Sequence, residues 1–220
     1  MKKILILDGS TRKQGNTSIM VEHFINGAKN NTDQIEHIIA KDLKIEYCNG
    51  CLRCNLIKRC SISGDDWNEL SEKIADSDVL VFASPIYFHY VTSPLKKIID
   101  RFRSLIHVQI TEQSVRHTPW QKWNKDFVLL LSMGSSDDVD AQPVVDLFEY
   151  MKEVMGEENR LHVVKATRLA VIKQVIKTED ELKQLYPKLE LPVKLAKQDA
   201  LNNKMILESC FKLGKKISHV

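Results

Sequence analysis

The stretch Ile4-Leu5-Ile6-Leu7-Asp8-Gly9-Ser10-Thr11-Arg12-Lys13-Gln14-Gly15-Asn16-Thr17-Ser18 decides the fold. A short apolar run stops at Asp8 and Gly9, and a polar loop then opens onto Thr17–Ala28, where apolar residues recur at three- and four-residue intervals. A strand that turns through glycine and hydroxyl residues into a helix is the first half of a βαβ unit. The alternation continues along the chain. Lys3–Leu7, Ile35–Ile39, Val79–Ala83, Phe127–Ser132 and Leu161–Val164 are predicted strands. Between and after them Trp67–Ala75, Pro94–Ile106, Pro143–Met155 and a last segment near Val193–Lys216 have helical period. The prediction is an α/β fold: a doubly wound five-stranded parallel sheet with helices on both faces, forming one domain over residues 1–220. Two connections, 107–125 with Trp120 and Trp123, and 165–192, are longer than such a fold requires.

The loop itself has the chemistry of a phosphate site. A helix amino terminus offers unpaired amides and a positive dipole end, and Ser10, Thr11, Arg12, Asn16, Thr17 and Ser18 can all donate to a phosphate monoester. The spacing fits neither G-x-G-x-x-G nor G-x-x-x-x-G-K-[ST], because Gly15 is followed by Asn16. The competing reading is a plain polar turn. The loops after the third and fourth predicted strands weigh against it, since open α/β sheets bind ligands at the carboxyl ends of their strands. The third-strand loop supplies Pro85, Ile86, Tyr87, Phe88 and Tyr90, apolar and aromatic side chains suited to a planar ring; the fourth supplies Gly134.

Lys and Arg number 32 against 29 Asp and Glu, a formal charge of +3, too small for a nucleic-acid or anionic-membrane footprint. No apolar run approaches the ~20 residues of a membrane helix. The expected location is cytoplasmic, where thiols stay reduced, so the five cysteines call for an explanation other than disulfides.

Four of them form Cys48-x2-Cys51-x2-Cys54-x5-Cys60, after the second strand and before a helix starting near Asp65 or Asp66. Three cysteines at two-residue gaps with a fourth on a short return can supply the four thiolates of a [4Fe-4S] cluster. Arg53, Lys58 and Arg59 nearby favour thiolate and offset the charge of a ligated cluster. Cluster-free thiols and a zinc site are the alternatives. The second strand should run beside the first, which predicts that this loop emerges on the same sheet edge as the phosphate loop. Cys210, alone in the last amphipathic segment, reads as a buried thiol. None of the seven histidines makes a metal-ligand spacing.

Gly9-Ser10-Thr11-Arg12 with Gly15-Asn16-Thr17, then Ser84-Pro85-Ile86-Tyr87, then Pro94-Leu95-Lys96 with Asp100-Arg101, resemble the NADPH-dependent FMN reductases and iron-sulfur flavoproteins of the flavodoxin superfamily. The resemblance covers about the first half of the chain. It implies a flavodoxin-like fold, with Ser10, Arg12, Asn16, Thr17 and Ser18 on the FMN phosphate and Pro85, Ile86, Tyr87 and Phe88 against the flavin. The cysteine spacing matches the compact motif of iron-sulfur flavoproteins, and Cys48-Asn49-Gly50-Cys51 also fits cluster-free reductases of the group. At the fourth loop the chain departs from the usual glycine-rich form, with Ser135 and Ser136 after Gly134. The implied function is electron transfer between FMN, a [4Fe-4S] cluster and an external carrier, with NAD(P)H or ferredoxin as donor. Its rivals are a cluster-free NAD(P)H-dependent FMN or quinone reductase and a non-catalytic flavin shuttle or sensor. Such reductases commonly complete the flavin site at a subunit boundary, which implies a homo-oligomer, a dimer or tetramer, with 107–125 as a candidate contact.

Overall fold

In the computed structural model, which describes residues 1–29, 31 and 34–219, β1 (Ile4–Asp8) leads into α1 (Asn16–Ala28), followed by β2 (Ile35–Ile39). The cysteine segment contains a short helix, α2 (Cys54–Ile57), and α3 (Trp67–Asp76), β3 (Val79–Pro85) and α4 (Ser93–Arg101) come after it. A hairpin of β4 (Ile106–Ile110) and β5 (Val115–Pro119) precedes β6 (Asp126–Ser132), α5 (Gln142–Met155), β7 (Arg160–Ala166), α6 (Glu179–Leu185) and α7 (Ala196–Ser218).

The large sheet is parallel, in the order β2-β1-β3-β6-β7. That is the flavodoxin-like arrangement, with its switch point between β1 and β3. Its strands start level, since Ile4 lies opposite both Ile35 and Val79, Val79 opposite Asp126, and Asp126 opposite Arg160. Their carboxyl ends therefore deliver the loops after Asp8, Pro85, Ser132 and Ala166 to one edge. Both faces are covered. Leu5, Leu7, Leu80, Phe82, Phe127 and Leu129 pack with residues of α3, α4 and α5, while Ile4, Ile6, Val79, Val81, Val128 and Leu130 pack with α1 and α7. Burial on both sides makes such strands continuously apolar rather than alternating.

Helices α1 and α7 meet backbone to backbone. A Cβ on Gly27 would strike the Phe211 carbonyl, and one on Gly214 would strike the Phe24 carbonyl.

One predicted helix is corrected, and the two long connections carry structure of their own. Pro94–Ile106 is not one helix: α4 stops at Arg101, a tighter turn covers Phe102–Leu105, and Ile106 begins β4. Ser104 Oγ donates to the Arg101 carbonyl at 2.9 Å and accepts from Trp67 Nε1 at 3.1 Å, fixing the break. Most of 107–125 is the hairpin, whose β4 is held by Asn55: Nδ2 donates to the Val108 carbonyl at 2.6 Å and Oδ1 accepts the Val108 amide at 3.0 Å. Within 165–192, Thr178 and Glu181 form a reciprocal capping box that starts α6. No helix among the described residues is long and apolar enough to cross a membrane.

Candidate functional site

The loop after β1 is fixed from below. The Gly9 amide donates to the Ala83 carbonyl at 2.7 Å, Thr92 Oγ1 donates to the Gly9 carbonyl at 2.8 Å, and the Ser10 amide donates to buried Asp8 at 2.7 Å. Gly15 precedes the first residue of α1 and no side chain caps the helix, so first-turn amides remain for an anion. They border a cavity of about 460 Å3 at the carboxyl edge of the sheet. Ser10, Arg12, Asn16 and Thr17 line it from one side, Pro85, Ile86, Tyr87 and Phe88 from another, and Gly134 from a third. Ser18 is not among its lining residues.

The Asn16 side chain is otherwise engaged. Its Nδ2 donates to the Val171 carbonyl at 2.9 Å and the Leu169 carbonyl at 3.5 Å, and its Oδ1 accepts the Val175 amide at 3.0 Å. Both amide hydrogens hold a strap of chain after β7, which leaves the backbone amides of the same turn, rather than the Asn16 side chain, open to an anion. Thr17 Oγ1 is likewise paired, 2.7 Å from Ser132 Oγ. Arg12 is exposed, with Nη1 3.5 Å from the Ala170 carbonyl, so its charge is available.

Sequence reasoning missed the strap. Leu169, Ala170 and Ile172 line the cavity. Buried Gln174 shapes the segment: its Oε1 accepts the Ala170 and Val171 amides at 2.9 and 3.1 Å, and its Nε2 donates to the Arg168 carbonyl at 2.6 Å. These are backbone bonds without hydrophobic period; the signal would have been a lone buried glutamine, invisible without coordinates.

The aromatic loop is a tight turn in which Tyr87 and Tyr90 exchange backbone bonds of 2.9 and 3.0 Å. Phe88 and His89 at its tip have φ of 49° and 61°, a region costly for side-chain-bearing residues and concentrated at functional sites. Phe88 is fully exposed and Tyr87 about half so, as apolar surface awaiting a partner would be. The Ile86 amide donates to the Ser132 carbonyl at 2.8 Å, tying this loop to the one carrying Gly134.

The cysteines form a second site. Cys48, Cys51, Cys54 and Cys60 all line one small cavity, with Arg101, Arg103 and Ser104 on its other wall. Cys48 and Cys51 are exposed, Cys60 is half-buried and Cys54 is buried. A Ser61 hydroxyl 3.5 Å from Cys51 Sγ holds that thiol below its ordinary range. Burial pushes Cys54 up, opposed by Arg103, whose Nη1 lies 3.5 Å from its sulfur. Cys210 lies outside the site, buried, with its thiol pushed up to about 12 by desolvation.

The loop is closed at a neck. Lys44 and Asp66 exchange backbone and carboxylate bonds of 2.9 and 2.7 Å, and the Glu46 amide donates to Asp65 at 2.9 Å. β2 runs parallel to β1 and ends level with it, Ile39 opposite Asp8, so the segment that carries the cysteines leaves the sheet at the same edge as the first loop, as expected; beyond the neck the cysteines line a cavity of their own. Thr92, before α4, bonds the first loop, whereas Arg101, at its other end, bonds the neck through Glu46 and Asp65. Nine helical residues, about 13 Å of rise, separate the two, and the cavities share no lining residue.

Among the described residues no three His, Cys, Asp or Glu side chains are arranged to hold a single metal ion. A cubic cluster takes one thiolate per iron and so wants its ligands further apart than a single ion does. Four thiols around one cavity, facing two guanidinium groups, have the chemistry for it.

An iron-sulfur flavoprotein of Archaeoglobus fulgidus is 33% identical over 139 residues, covering 63% of this chain and 59% of the relative. One from Methanocaldococcus jannaschii is 33% identical over 103 residues, 47% of this chain and 53% of the relative. The alignments thus span between about half and three-fifths of these relatives. In fold, the chain superposes on an azoreductase from Bacillus anthracis with a TM-score of 0.65 at 15% identity, covering 98% of this chain and 100% of that one. Residues 2–170, which carry the first loop, the aromatic loop, the cysteines and the start of the strap, match the family model for NADPH-dependent FMN reductases, and to that family the chain belongs.

Proposed function

We propose that the chain is an FMN-dependent oxidoreductase that takes electrons from NAD(P)H or a reduced carrier, with a [4Fe-4S] cluster on Cys48, Cys51, Cys54 and Cys60 linking it to a one-electron partner. The observation that carries the flavin half is the single cavity in which an uncapped helix start, a charged Arg12, two exposed aromatics and the Gly134 loop meet. Bound FMN would supply the redox chemistry. The chain's part is to hold and surround it. First-turn amides of α1, the Ser10 hydroxyl and Arg12 would take the phosphate, while Pro85, Ile86, Tyr87 and Phe88 would pack on the ring system and exclude water.

The cluster half is supported by the convergence of four thiols on one cavity and by the names of the two relatives. Its place at the far end of α4 favours a homo-oligomer, in which a thiol site could approach the flavin of another copy. Anaerobic purification and reconstitution, followed by flavin, iron and sulfide analysis, tests both halves. The expected result is one FMN and one [4Fe-4S] cluster per chain, with Cys54→Ala losing or converting the cluster while keeping FMN, and Cys210→Ala keeping both. FMN without iron would return the chain to cluster-free reductases; no FMN affinity would overturn the reading.

A further inference from the structure

Arg101 is fully buried beneath the cysteine loop. Its Nη1 donates to Asp65 at 2.6 Å and to the Glu46 carbonyl at 2.8 Å, and Nη2 lies 3.4 Å from the other Asp65 oxygen. The guanidinium also sits 5.3 Å from the Trp67 ring centre. These contacts pin both sides of the loop neck and leave Nε over. Among the described residues, that Nε is the buried side-chain nitrogen or oxygen for which no hydrogen-bond partner is found. An unsatisfied buried donor costs about 1–3 kcal/mol, and more when charged. Such a group in a native fold calls for an acceptor, and Arg101 lines the cavity shared by the four cysteines. Of the acceptors that line it, neither the side-chain oxygens of Asn49, Ser61 and Ser104 nor the cysteine sulfurs lie within hydrogen-bond reach of Nε; the acceptors a cluster would add there are sulfur atoms.

We infer that the Arg101 Nε–H donates to a sulfur of the iron-sulfur cluster, cysteinyl or inorganic, making Arg101 a positioning residue that anchors the loaded loop and raises the cluster's reduction potential. The inference rests on the cluster reading above. A hydrogen bond to a cluster sulfur draws off negative charge and favours the reduced state. Arg103 already stands 3.5 Å from Cys54 Sγ; Arg101 adds a second cationic donor to the same lining, one that also ties the neck through Asp65. The ion pair with Asp65 fixes the guanidinium plane, so the donor is in place before any cluster arrives.

Arg101→Lys keeps a cation for Asp65 and deletes Nε–H. With FMN content and FMN affinity as controls for folding, the reconstituted variant should show a more negative cluster potential by anaerobic spectroscopic titration. A chelator should also strip its iron faster, by about tenfold, the scale of outer-shell changes at metal sites. In wild-type protein labelled with 15N-arginine, the Arg101 Nε–H should exchange with solvent more slowly in the loaded than in the cluster-free form. A loaded Lys variant with wild-type potential and iron release overturns the inference, and so does an exchange rate indifferent to loading. If the variant does not fold, the exchange measurement on wild type decides alone. Wild-type protein that binds FMN and takes up no iron or sulfide overturns the cluster reading itself, and this inference with it.

Discussion

At the amino end of α4, backbone bonds between neighbouring strand ends hold three loops around one cavity: Gly9 on Ala83, Ile86 on Ser132, Met133 on Ala166. At the carboxyl end of the same helix, side chains from distant parts of the chain do that work: Arg101 on Asp65, Arg103 on Cys54, Asn55 on Val108. The first site takes most of its shape from the sheet, and only the strap after β7 depends on side chains, those of Asn16 and Gln174. The second is pinned at its neck, with Cys48 and Cys51 still facing solvent. A flavin pocket of this kind needs only to be filled, whereas a thiol loop of this kind is completed by what it binds.

The sharpest way to break the comparison is at Asp65. Asp65→Ala strands a buried guanidinium, and breaking one side of a buried pair costs about 3–5 kcal/mol. Urea denaturation should show that loss, and limited proteolysis should cut first within 47–64 while residues around the first loop stay protected. Equal cleavage in both regions would mean that the two sites are not independently held.

Arg12→Ala probes the other region. Loss of one charge-assisted bond should weaken FMN by about 1.5–3 kcal/mol, roughly ten- to a hundredfold, and leave riboflavin, which has no phosphate, almost unchanged. Titration calorimetry with both ligands separates the two; a parallel loss would place Arg12 on the ring rather than the phosphate.

The smallest effect is on pH. Burial pushes the Asp65 carboxyl up, but bonds from Arg101 and the Glu46 amide outweigh it and bring it below the ordinary 3.8. Asp126, at the start of β6, is also lowered: burial again opposes, and His162, Arg160 and Lys2 prevail. A depressed carboxyl adds stability that is present above the unfolded-state value and lost as pH falls toward the folded one. The melting temperature should therefore drop as pH goes below about 4, where unfolded carboxylates begin to bind protons. Asp65→Ala should drop less steeply over that range, and an unchanged slope would assign the acid sensitivity to Asp126 alone.

The central strands β1, β3 and β6 were legible because a sheet buried on both faces writes unbroken apolar runs, and the half-exposed edge strands β2 and β7 because enough β-branched residues remain around Glu36, His37 and His162. The ends moved by only a few residues, as with β7, read over Leu161–Val164 and found over Arg160–Ala166. Most of the first cavity was legible too, since its residues cluster where strands end. The break after Arg101 was not, because a serine hydroxyl and a tryptophan 37 residues apart fix it. Nor was the cavity of the cysteine loop. Sheet order predicts the edge at which the loop leaves, but not the separate cavity it forms, because the Arg101–Asp65 pair that ties its neck to the end of α4 joins residues 36 apart. The hold of Asn16 and Gln174 on the strap was hidden for a related reason: amide side chains that replace missing backbone partners look, in sequence, like surface polarity.

The glycine crossing of α1 and α7 reaches beyond packing. The family match ends at residue 170, whereas α7 begins at Ala196 and lies against the helix that starts at the phosphate loop. A fragment cut at the end of the match would keep Ser10, Arg12, the aromatic turn and all four loop cysteines, yet bare the α1 face that α7 covers, around Phe24, Gly27 and Ala28. It would resemble an enzyme in its motifs and an exposed hydrophobic patch in its behaviour. Domain swaps that graft this first loop onto another scaffold must therefore carry the carboxyl-terminal helix along, or supply another small-residue helix that can ride as close.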